Sequence, residues 1–406
     1  MKKTVAFNPL EYPLYVMLKP IGAICNLNCS YCYYLEKDQL YPNRKNYQMS
    51  DELLAKFTEM YIESQPSPDV LFTWHGGETL LRDISFYKKT IQLQHRLGRG
   101  KRIQNALQTN GILLNDDWCR FFKDNEFLIG ISIDGPEDIH DHYRKNKGDM
   151  GTFRQVMRGI ELLQKHGVEF NTMGVIHDYN SKRPLEVYHF LKEIGSKYMQ
   201  FSPIVERISV DQKLLSVNDP EVGQPGSWNV IPKDFGSFYN TIFDEWVLND
   251  VGEYYIQLFD STLANMVGVP PGACIYAEEC GHATAMEFNG DLYACDHFVF
   301  EGYKLGNIYK SSLIEMMLSS KQLNFGLDKK RLLPGQCKEC PFLKLCNGEC
   351  PKNRFSVTTD GEEGLNYLCE GYRSYYHHVT PYMKFMANEL ANERPPANVM
   401  SWIRGK

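Results

Sequence analysis

Twelve cysteines, unevenly distributed over 406 residues, constrain this chain more than any other feature of its sequence. Three of them, Cys25, Cys29 and Cys32, have the spacing C-x3-C-x2-C, and eight more lie between Cys274 and Cys369. Disulfides are rare in reducing compartments, where clustered cysteines more often bind metals or take part in catalysis. The sequence therefore predicts metal centres near both ends of the chain.

Composition sets the broad class of the protein. A mass of 47.0 kDa suits two domains, or one large domain with an appendage, and 43% hydrophobic residues suffice for a packed core. The formal charge of −6, with both signs interspersed, argues against a nucleic-acid or membrane-surface binder. No apolar run approaches the roughly 18 residues of a membrane span. Pro9, Glu11, Pro13 and Lys19 interrupt the first stretch, so we expect no signal peptide and a cytoplasmic protein.

The first half of the chain alternates strand and helix patterns. Strands are predicted near residues 15, 70, 103, 127, 169 and 198. Among the helices between them, one has Ser50 or Asp51 as N-cap, and two others stop at Gly167 and Gly195. Six such units predict an α/β fold, a partial (β/α)6 TIM-like barrel with its site at the carboxyl ends of parallel strands.

The sequence divides into four predicted segments. The partial barrel covers residues 1–232 and ends in a long polar loop or lid over 206–231. A helical linker covers 233–270, with helices expected around 233–249 and 253–267. A cysteine-rich domain covers 271–376, and a C-terminal helix and tail cover 377–406.

The three opening cysteines are one ligand short of a closed metal site. A structural zinc site takes four protein ligands, and the nearest histidine, His75, is a strand away. Iron–sulfur clusters normally take four cysteines as well. A [4Fe–4S] cluster held by three thiolates leaves one iron open to a substrate or cofactor. A zinc knuckle, or unrelated buried cysteines, is the alternative.

This stretch resembles the radical SAM superfamily. Its hallmark is C-x3-C-x2-C after the first strand of a partial barrel, with an aromatic residue before the last cysteine, which is Tyr31 here. The resemblance implies that S-adenosylmethionine (SAM) binds the open iron. It also implies that electron transfer cleaves SAM to methionine and a 5′-deoxyadenosyl radical, while the protein supplies position and electrostatics.

The resemblance also assigns residues to SAM binding. They are Tyr31, Gly76, Gly77, Glu78, Ser132, Asp134, Arg144 and Val205. Within this set the HGGE segment binds the amino group of SAM, Arg144 pairs with its carboxylate, and Val205 packs on adenine. Ser132 and Asp134 lie two residues apart and share one side of a strand. The alternatives are a simple turn at HGGE, a solvated charge at Arg144 and ordinary core packing at Val205.

The later cysteines follow a second pattern, which resembles the SPASM domain. The pattern reads C-x9-G-x4-C, then C-x2-C-x5-C-x3-C, then a last cysteine. The resemblance implies two fully ligated auxiliary [4Fe–4S] clusters. One set of ligands is Cys274, Cys280, Cys295 and Cys350, and the other is Cys337, Cys340, Cys346 and Cys369. Cys119 is left over and is predicted to be a buried or partly buried thiol. Two zinc sites with the same eight cysteines are the alternative.

Over roughly residues 10–385 the chain resembles the anaerobic sulfatase-maturating enzymes, through CNLNCSYCYY, HGGE, SIDG and CDHFV. The resemblance implies oxidation of a serine or cysteine within a C/S-x-P-x-R motif of a sulfatase to Cα-formylglycine. The radical takes hydrogen from Cβ, Asp296 accepts the hydroxyl or thiol proton, and an auxiliary cluster takes the leftover electron. Alternatively, Asp296 only tunes its neighbouring cluster by hydrogen bonding. Tyr34 and His75 are expected to line the substrate channel.

Two other functions are compatible with parts of this sequence. A radical SAM enzyme that crosslinks ribosomal peptides often carries an N-terminal recognition domain, and only about 24 residues precede Cys25, too few for a domain. A non-catalytic, zinc-stapled scaffold would be colourless, whereas iron–sulfur protein is brown.

We expect three [4Fe–4S] clusters, SAM, a sulfatase polypeptide as substrate and an external low-potential electron donor of the flavodoxin or ferredoxin type. We further expect a monomer that binds neither nucleic acid nor membrane, and leave serine or cysteine preference open.

Overall fold

A computed structural model describes residues 13–43, 46–211, 213–217, 219, 221 and 223–405. The first twelve residues of the predicted barrel segment and the last residue of the tail lie outside this part of the chain. The strands are β1 (Tyr15–Lys19), β2 (Asp69–Trp74), β3 (Arg102–Thr109), β4 (Leu128–Ser132), β5 (Phe170–Ile176), β6 (Tyr198–Pro203), β7 (Arg207–Ile208), β8 (Gln224–Pro225), β9 (Tyr255–Ile256), β10 (Ala283–Glu287), β11 (Asp291–Tyr293), β12 (Lys304–Asn307), β13 (Ser356–Val357) and β14 (Glu363–Leu365).

The α-helices are α1 (Asp51–Ser64), α2 (Ile84–Leu97), α3 (Asp116–Asp124), α4 (Glu137–Tyr143), α5 (Phe153–Lys165), α6 (Pro184–Glu193), α7 (Pro232–Asn249), α8 (Gln257–Val267), α9 (Leu313–Met317), α10 (Ser320–Arg331), α11 (Gly335–Lys338), α12 (Leu343–Cys346), α13 (Cys369–Ala391) and α14 (Asn398–Arg404). Short 3-10 turns cover Leu35–Leu40, Thr79–Leu81, Asn180–Lys182, Cys274–Tyr276, Asp296–Phe298, Glu301–Tyr303 and Pro351–Asn353. No helix in these described ranges combines the length and apolar character that crossing a membrane requires.

The predicted alternation of strands and helices is confirmed for β1 to β6. Ser50 is the N-cap of α1, and its hydroxyl accepts a hydrogen bond from the Leu53 N–H at 3.1 Å. Gly167 and Gly195 follow α5 and α6 with φ of 63° and 78°, a conformation that glycine adopts without strain. Both helix ends therefore lie where the sequence places them.

Two helix boundaries differ from the prediction. The C-terminal helix α13 begins at Cys369, eight residues before the expected residue 377, so the predicted segment boundary after 376 falls inside a helix. The helix expected over 253–267 begins at Gln257, because Tyr255–Ile256 pair with β6 as a strand. Gly371 in the first turn of α13 has a low intrinsic helix propensity, but close packing of α7 against that turn requires a residue without a side chain.

The contacts group the chain into two compact units. Within the described residues, the first unit comprises 13–132, 141–170 and 280–328. Its strands follow the order β12-β11-β10-β1-β2-β3-β4, with β10, β1, β2, β3 and β4 parallel and β10, β11 and β12 antiparallel. The C-terminal strand β10 thus pairs directly with the first strand of the barrel.

The second unit comprises residues 133–140, 171–279 and 329–405. Its strands β5, β6 and β9 are parallel neighbours, and β7–β8 and β13–β14 form two small antiparallel ribbons. The long helices α7, α8 and α13 pack together around buried aromatic side chains, among them Tyr239, Phe259 and Tyr375. The predicted lid over 206–231 contains the β7–β8 ribbon.

Candidate active site

The three opening cysteines lie on the loop that follows β1. The Cys32 N–H donates to the Cys29 carbonyl at 3.0 Å, so the segment turns tightly. Burial raises the pKa of Cys25 to about 12, and the nearby Cys29 and Cys32 thiols add to this rise. Three thiols so close together are ionised only if a cation stabilises them, which suits an iron–sulfur cluster.

The HGGE segment lies directly against the backbone that precedes Cys25. Gly77 N–H donates to the Gly22 carbonyl and Glu78 N–H to the Ile24 carbonyl, both at 2.8 Å. A Cβ on Gly77 would lie 2.0 Å from the Ile24 carbonyl oxygen, and Gly76 has a φ of 139°. Both glycines are therefore required by geometry, as expected for a backbone that approaches a ligand closely.

Glu78 is buried, and its carboxylate links the ends of β2 and β3. It accepts hydrogen bonds from the Leu80 N–H, the Thr109 hydroxyl and the Asn110 N–H at 2.9, 2.6 and 2.8 Å. Burial raises its pKa. The sequence analysis did not anticipate this bracing role, and the predicted contact of Glu78 with SAM stays a prediction.

Arg144 is buried and close to the cysteine loop. Its guanidinium donates to the Tyr31 hydroxyl at 2.9 Å, which contradicts the alternative of a solvated surface charge. Ser132, at the end of β4, accepts a hydrogen bond from the Gln108 side-chain amide at 2.9 Å. The first unit therefore brings Tyr31 and Arg144 together and fixes the rotamer of Ser132.

Two of the residues assigned to SAM belong to the second unit. The buried Asp134 carboxylate accepts from the Val175 N–H at 3.0 Å. Val205 is buried, and its carbonyl accepts from Lys352 Nζ at 2.6 Å, while the same ammonium pairs with Glu206 at 2.8 Å. Both residues are held by hydrogen bonds within the second unit, and their contact with SAM stays a prediction.

The second predicted auxiliary site is a cavity in the second unit. Its lining includes all four expected ligands, namely Cys337, Cys340, Cys346 and Cys369. Burial raises the pKa of Cys346 to about 12 and that of Cys369 to about 11. Four half-buried cysteines that line one cavity fit a fully ligated metal cluster.

Buried polar side chains brace the backbone at or beside three of the other four expected ligands, Cys274, Cys280 and Cys295. In the first unit, Gln322 donates to the carbonyls of Gly281 and Ala294, which flank Cys280 and Cys295, at 3.0 and 3.1 Å.

In the second unit, Lys329 is buried and donates to the carbonyls of Cys274 and Ile275, each at 2.8 Å. Sequence reasoning missed Gln322 and Lys329. Both residues lie on α10, a helix rich in polar residues, and nothing in the neighbouring sequence indicates that their side chains are buried.

Asp296 lies in the 3-10 turn after Cys295, in the first unit, and is held by two partners. One carboxylate oxygen forms an ion pair with Lys19, and the other accepts from the Tyr33 hydroxyl at 2.7 Å. Burial alone would raise its pKa, but Lys19, His75 and His297 together outweigh burial and hold the pKa of Asp296 below its ordinary value. The carboxylate is thus ionised and oriented.

Lys19 joins these residues to His75. Its side chain is fully buried, and Nζ lies 3.2 Å from His75 Nδ1 and 4.3 Å from the centroid of the Tyr34 ring. Burial and the neighbouring ammonium lower the pKa of His75 to about 3, so its imidazole is neutral near pH 7. Asp296 and the two predicted channel residues, Tyr34 and His75, therefore surround one lysine.

Glu287 completes the group. It accepts a hydrogen bond from the Tyr34 hydroxyl and is the register partner of Lys19 across β10 and β1. Burial raises its pKa to about 7, although the Tyr34 hydroxyl and Lys19 counteract this rise. We call Lys19, Tyr33, Tyr34, His75, Glu287 and Asp296 the Lys19 cluster. The sequence analysis missed Lys19 and Glu287, whose only signal is a charged residue at the end of a strand.

Cys119 is fully buried in α3, which confirms the prediction of a buried thiol. Nothing in its surroundings requires a ligand role.

Comparison with known families agrees with this site. The family model described as Radical SAM superfamily matches residues 20–191, and the SPASM model, described as an iron-sulfur cluster-binding domain, matches residues 279–341. The fold and the cysteine sites thus define a radical SAM enzyme with a SPASM domain. Its cofactors are SAM and [4Fe–4S] clusters, as predicted.

The chain is 57% identical over 405 residues to a serine-type anaerobic sulfatase-maturating enzyme of Bacteroides thetaiotaomicron, covering 99% of this chain and 98% of the relative. A cysteine-type enzyme of Clostridium perfringens is 30% identical, covering 93% and 99% of the two chains. A solved structure of native anSMEcpe with bound AdoMet and Cp18Cys peptide superimposes with a TM-score of 0.82 at 30% identity, covering 93% and 99%. The chain belongs to the anaerobic sulfatase-maturating enzymes, and the predicted family and fold class are confirmed.

Proposed function

We propose that this protein oxidises a serine side chain of a sulfatase polypeptide, within an S-x-P-x-R sequence, to Cα-formylglycine. The serine preference is supported by the relative of 57% identity, which is serine-type, whereas the cysteine-type relatives are about 30% identical. The observation that carries the proposal is Asp296, which lies half-buried beside Cys295, has a lowered pKa and is paired with the buried Lys19.

Asp296 serves as the acceptor for the hydroxyl proton of the substrate serine. Cys25, Cys29 and Cys32 would hold the cluster that binds SAM, which would supply the radical that takes a hydrogen atom from Cβ, and the remaining electron would pass to an auxiliary cluster. Asp296 suits proton acceptance because Lys19 keeps it ionised and Tyr33 fixes its second oxygen at 2.7 Å. The alternative, a carboxylate that only tunes the neighbouring cluster, is tested below.

His75 and Tyr34 offer neutral hydrogen-bonding groups to the peptide. His75 is neutral because burial and Lys19 depress its pKa to about 3. Burial raises the pKa of Tyr34 well above its ordinary value, so its hydroxyl keeps its proton. Both side chains are therefore neutral near pH 7, and the carboxyl groups of the Lys19 cluster are those of Asp296 and Glu287.

Several finer expectations rest on the sequence alone. They are the ligand sets of three separate [4Fe–4S] clusters, a flavodoxin- or ferredoxin-type electron donor, a monomeric state and a cytoplasmic location. Iron quantification and cluster spectroscopy test the first, and electron transfer from purified donors tests the second.

The proposed function is tested with two short peptides that differ only in the target residue, S-x-P-x-R and C-x-P-x-R. Each is incubated without oxygen with the reconstituted protein, SAM and a strong reductant, and the products are analysed by mass spectrometry. We expect the aldehyde from the serine peptide together with 5′-deoxyadenosine. An aldehyde from the cysteine peptide alone would refute the serine preference, and no aldehyde from either would refute the function.

The role of Asp296 is tested by Asp296→Asn, which keeps the shape and removes the basic oxygen. We expect formylglycine formation to fall by about 10²- to 10⁴-fold, the usual contribution of a general base, while 5′-deoxyadenosine still forms. Asp117→Asn, at an exposed position on α3, is the matched control and should leave both products unchanged. Normal formylglycine formation by Asp296→Asn would contradict the base role.

A further inference from the structure

We propose that Glu287 is a positioning residue for this oxidation, because its carboxylate holds the Tyr34 hydroxyl and lies beside Lys19. The inference rests on the proposed function and adds a residue to it. Glu287 is not expected to touch the substrate; it acts through Tyr34 and Lys19, which face the proposed proton acceptor Asp296.

The first support is the setting of Tyr34. Its ring is buried in an apolar cluster with Ala23, Ala285, Tyr293 and Val299, where water cannot satisfy the hydroxyl. The hydroxyl donates to Glu287 Oε1. Loss of this acceptor would leave a buried hydroxyl without its partner, which costs enough to shift the ring.

The second support is the strand register. Glu287 and Lys19 are paired residues of the parallel strands β10 and β1, and both side chains are almost fully buried. Lys19 already balances Asp296, so Glu287 is a second carboxyl beside a single cation. The groups that face Glu287 are Lys19, Asp296, Tyr34 and, further along the same side, Tyr41 and Tyr293.

This arrangement makes the group sensitive to the charge of Glu287. In its ionised form Glu287 accepts more strongly from Tyr34 and attracts the Lys19 ammonium, whereas in its neutral form both interactions weaken. Since burial raises the pKa of Glu287 to about 7, the change falls within the working pH range. Formylglycine formation should therefore rise with pH through the neutral range.

The test uses Glu287→Gln in the reconstituted full-length protein, with the exposed Glu301→Gln as matched control. The amide keeps the shape and an acceptor oxygen but cannot ionise. We expect the variant to lose the rise with pH, to be at least ten-fold slower than wild type at pH 8, and to match it within about three-fold at pH 6. We also expect more 5′-deoxyadenosine per formylglycine, because a misplaced Tyr34 uncouples SAM cleavage from oxidation.

A purely structural role for Glu287 would lower activity equally at all pH values and leave the ratio of the two products unchanged, which would overturn the proposal. Unchanged kinetics would overturn it as well. A readout independent of substrate is the coupling between Glu287→Gln and Tyr34→Phe in thermal unfolding, since residues in direct contact are not additive. If the wild type makes no formylglycine, the proposed function fails, and this coupling alone decides whether Glu287 holds Tyr34. Additive effects would then overturn the inference.

Discussion

Lys19 is the residue on which the proposed proton acceptor depends. Its side chain is fully buried, so water and salt screen its ion pair with Asp296 only weakly. Removing one partner of such a pair leaves an uncompensated buried charge, which costs far more than the pair itself contributes. The Lys19–Asp296 ion pair therefore affects both the stability of the protein and the ionisation of Asp296.

Lys19→Met tests this dependence, since methionine has a similar length and no charge. We expect a loss of stability of about 3–5 kcal/mol, the usual cost of breaking a buried ion pair, and a raised pKa for Asp296. Thermal unfolding of the purified variant measures the loss. Lys89→Met breaks the exposed Lys89–Asp51 pair and should change stability by less than about 0.5 kcal/mol. Equal losses in the two variants would show that burial of the Lys19 pair contributes nothing.

Glu287 should make stability fall as pH rises. Its folded pKa of about 7 lies above the ordinary value of 4.5, so between these values the folded protein binds more protons than the unfolded chain. Stability is therefore lost over this interval, by up to about 3 kcal/mol, and the loss is complete above pH 7. Glu287→Gln lacks this loss, so its melting temperature relative to wild type should increase by a few degrees from pH 5 to pH 8. A difference that is constant with pH would contradict the shifted pKa.

The crossing of α7 and α13 links helix packing to a cluster ligand. A Cβ on Gly371 would lie 2.2 Å from the Pro232 carbonyl oxygen, and one on Gly236 would lie 2.9 Å from the Gly371 carbonyl oxygen. The helices therefore touch backbone to backbone. Cys369, an expected ligand, begins α13 only two residues before this contact.

Gly371→Ala should consequently separate the two helices and displace Cys369. Overpacking of this kind costs about 1–3 kcal/mol, and we expect the iron content to fall as the second auxiliary site loosens. Iron analysis and thermal unfolding measure the two effects. Lys384→Ala, at an exposed position of the same helix, should alter neither. Full iron content in Gly371→Ala would show that the helix crossing does not position the ligand.

The elements were predictable where the signal is local. The strands from β1 to β6 consist of short apolar or β-branched runs, and Ser50 and Gly167 mark helix ends by chemistry that acts within a few residues. The start of α13 was missed because Gly371 weakens the helix signal, and only its contact with α7 explains it.

The site was predictable for a different reason, and only in part. Cysteine spacing points to the ligand groups through the resemblance to two families, and Asp296 follows from the same kind of resemblance through its place beside Cys295. These assignments stay predictions. Lys19 and Glu287 meet only through the parallel register of β1 with β10, which lie far apart in the sequence. No local pattern encodes that pairing, so the Lys19 cluster emerges from the tertiary structure.

Eleven of the twelve cysteines are predicted cluster ligands, and the remaining one, Cys119, is buried in the core. Two of the three predicted ligand groups lie within a single unit each: Cys25, Cys29 and Cys32 in the first, and the four cysteines of the cavity in the second. The two sites can therefore be damaged independently, and the chemistry expected of each differs. The first carries SAM, whereas a fully ligated cluster offers no open iron and suits electron transfer.

This separation predicts the behaviour of Cys337→Ala/Cys340→Ala. We expect iron to fall from about twelve to about eight per chain, because one four-iron cluster is lost. SAM cleavage with dithionite should persist, while formylglycine formation falls at least ten-fold if electrons leave through that cluster. Iron analysis, 5′-deoxyadenosine and peptide aldehyde are measured on one preparation, with Cys119→Ala as a control that retains all three. Loss of SAM cleavage in the double variant would show that the two sites do not act separately, and unchanged iron would remove these cysteines from the ligand set.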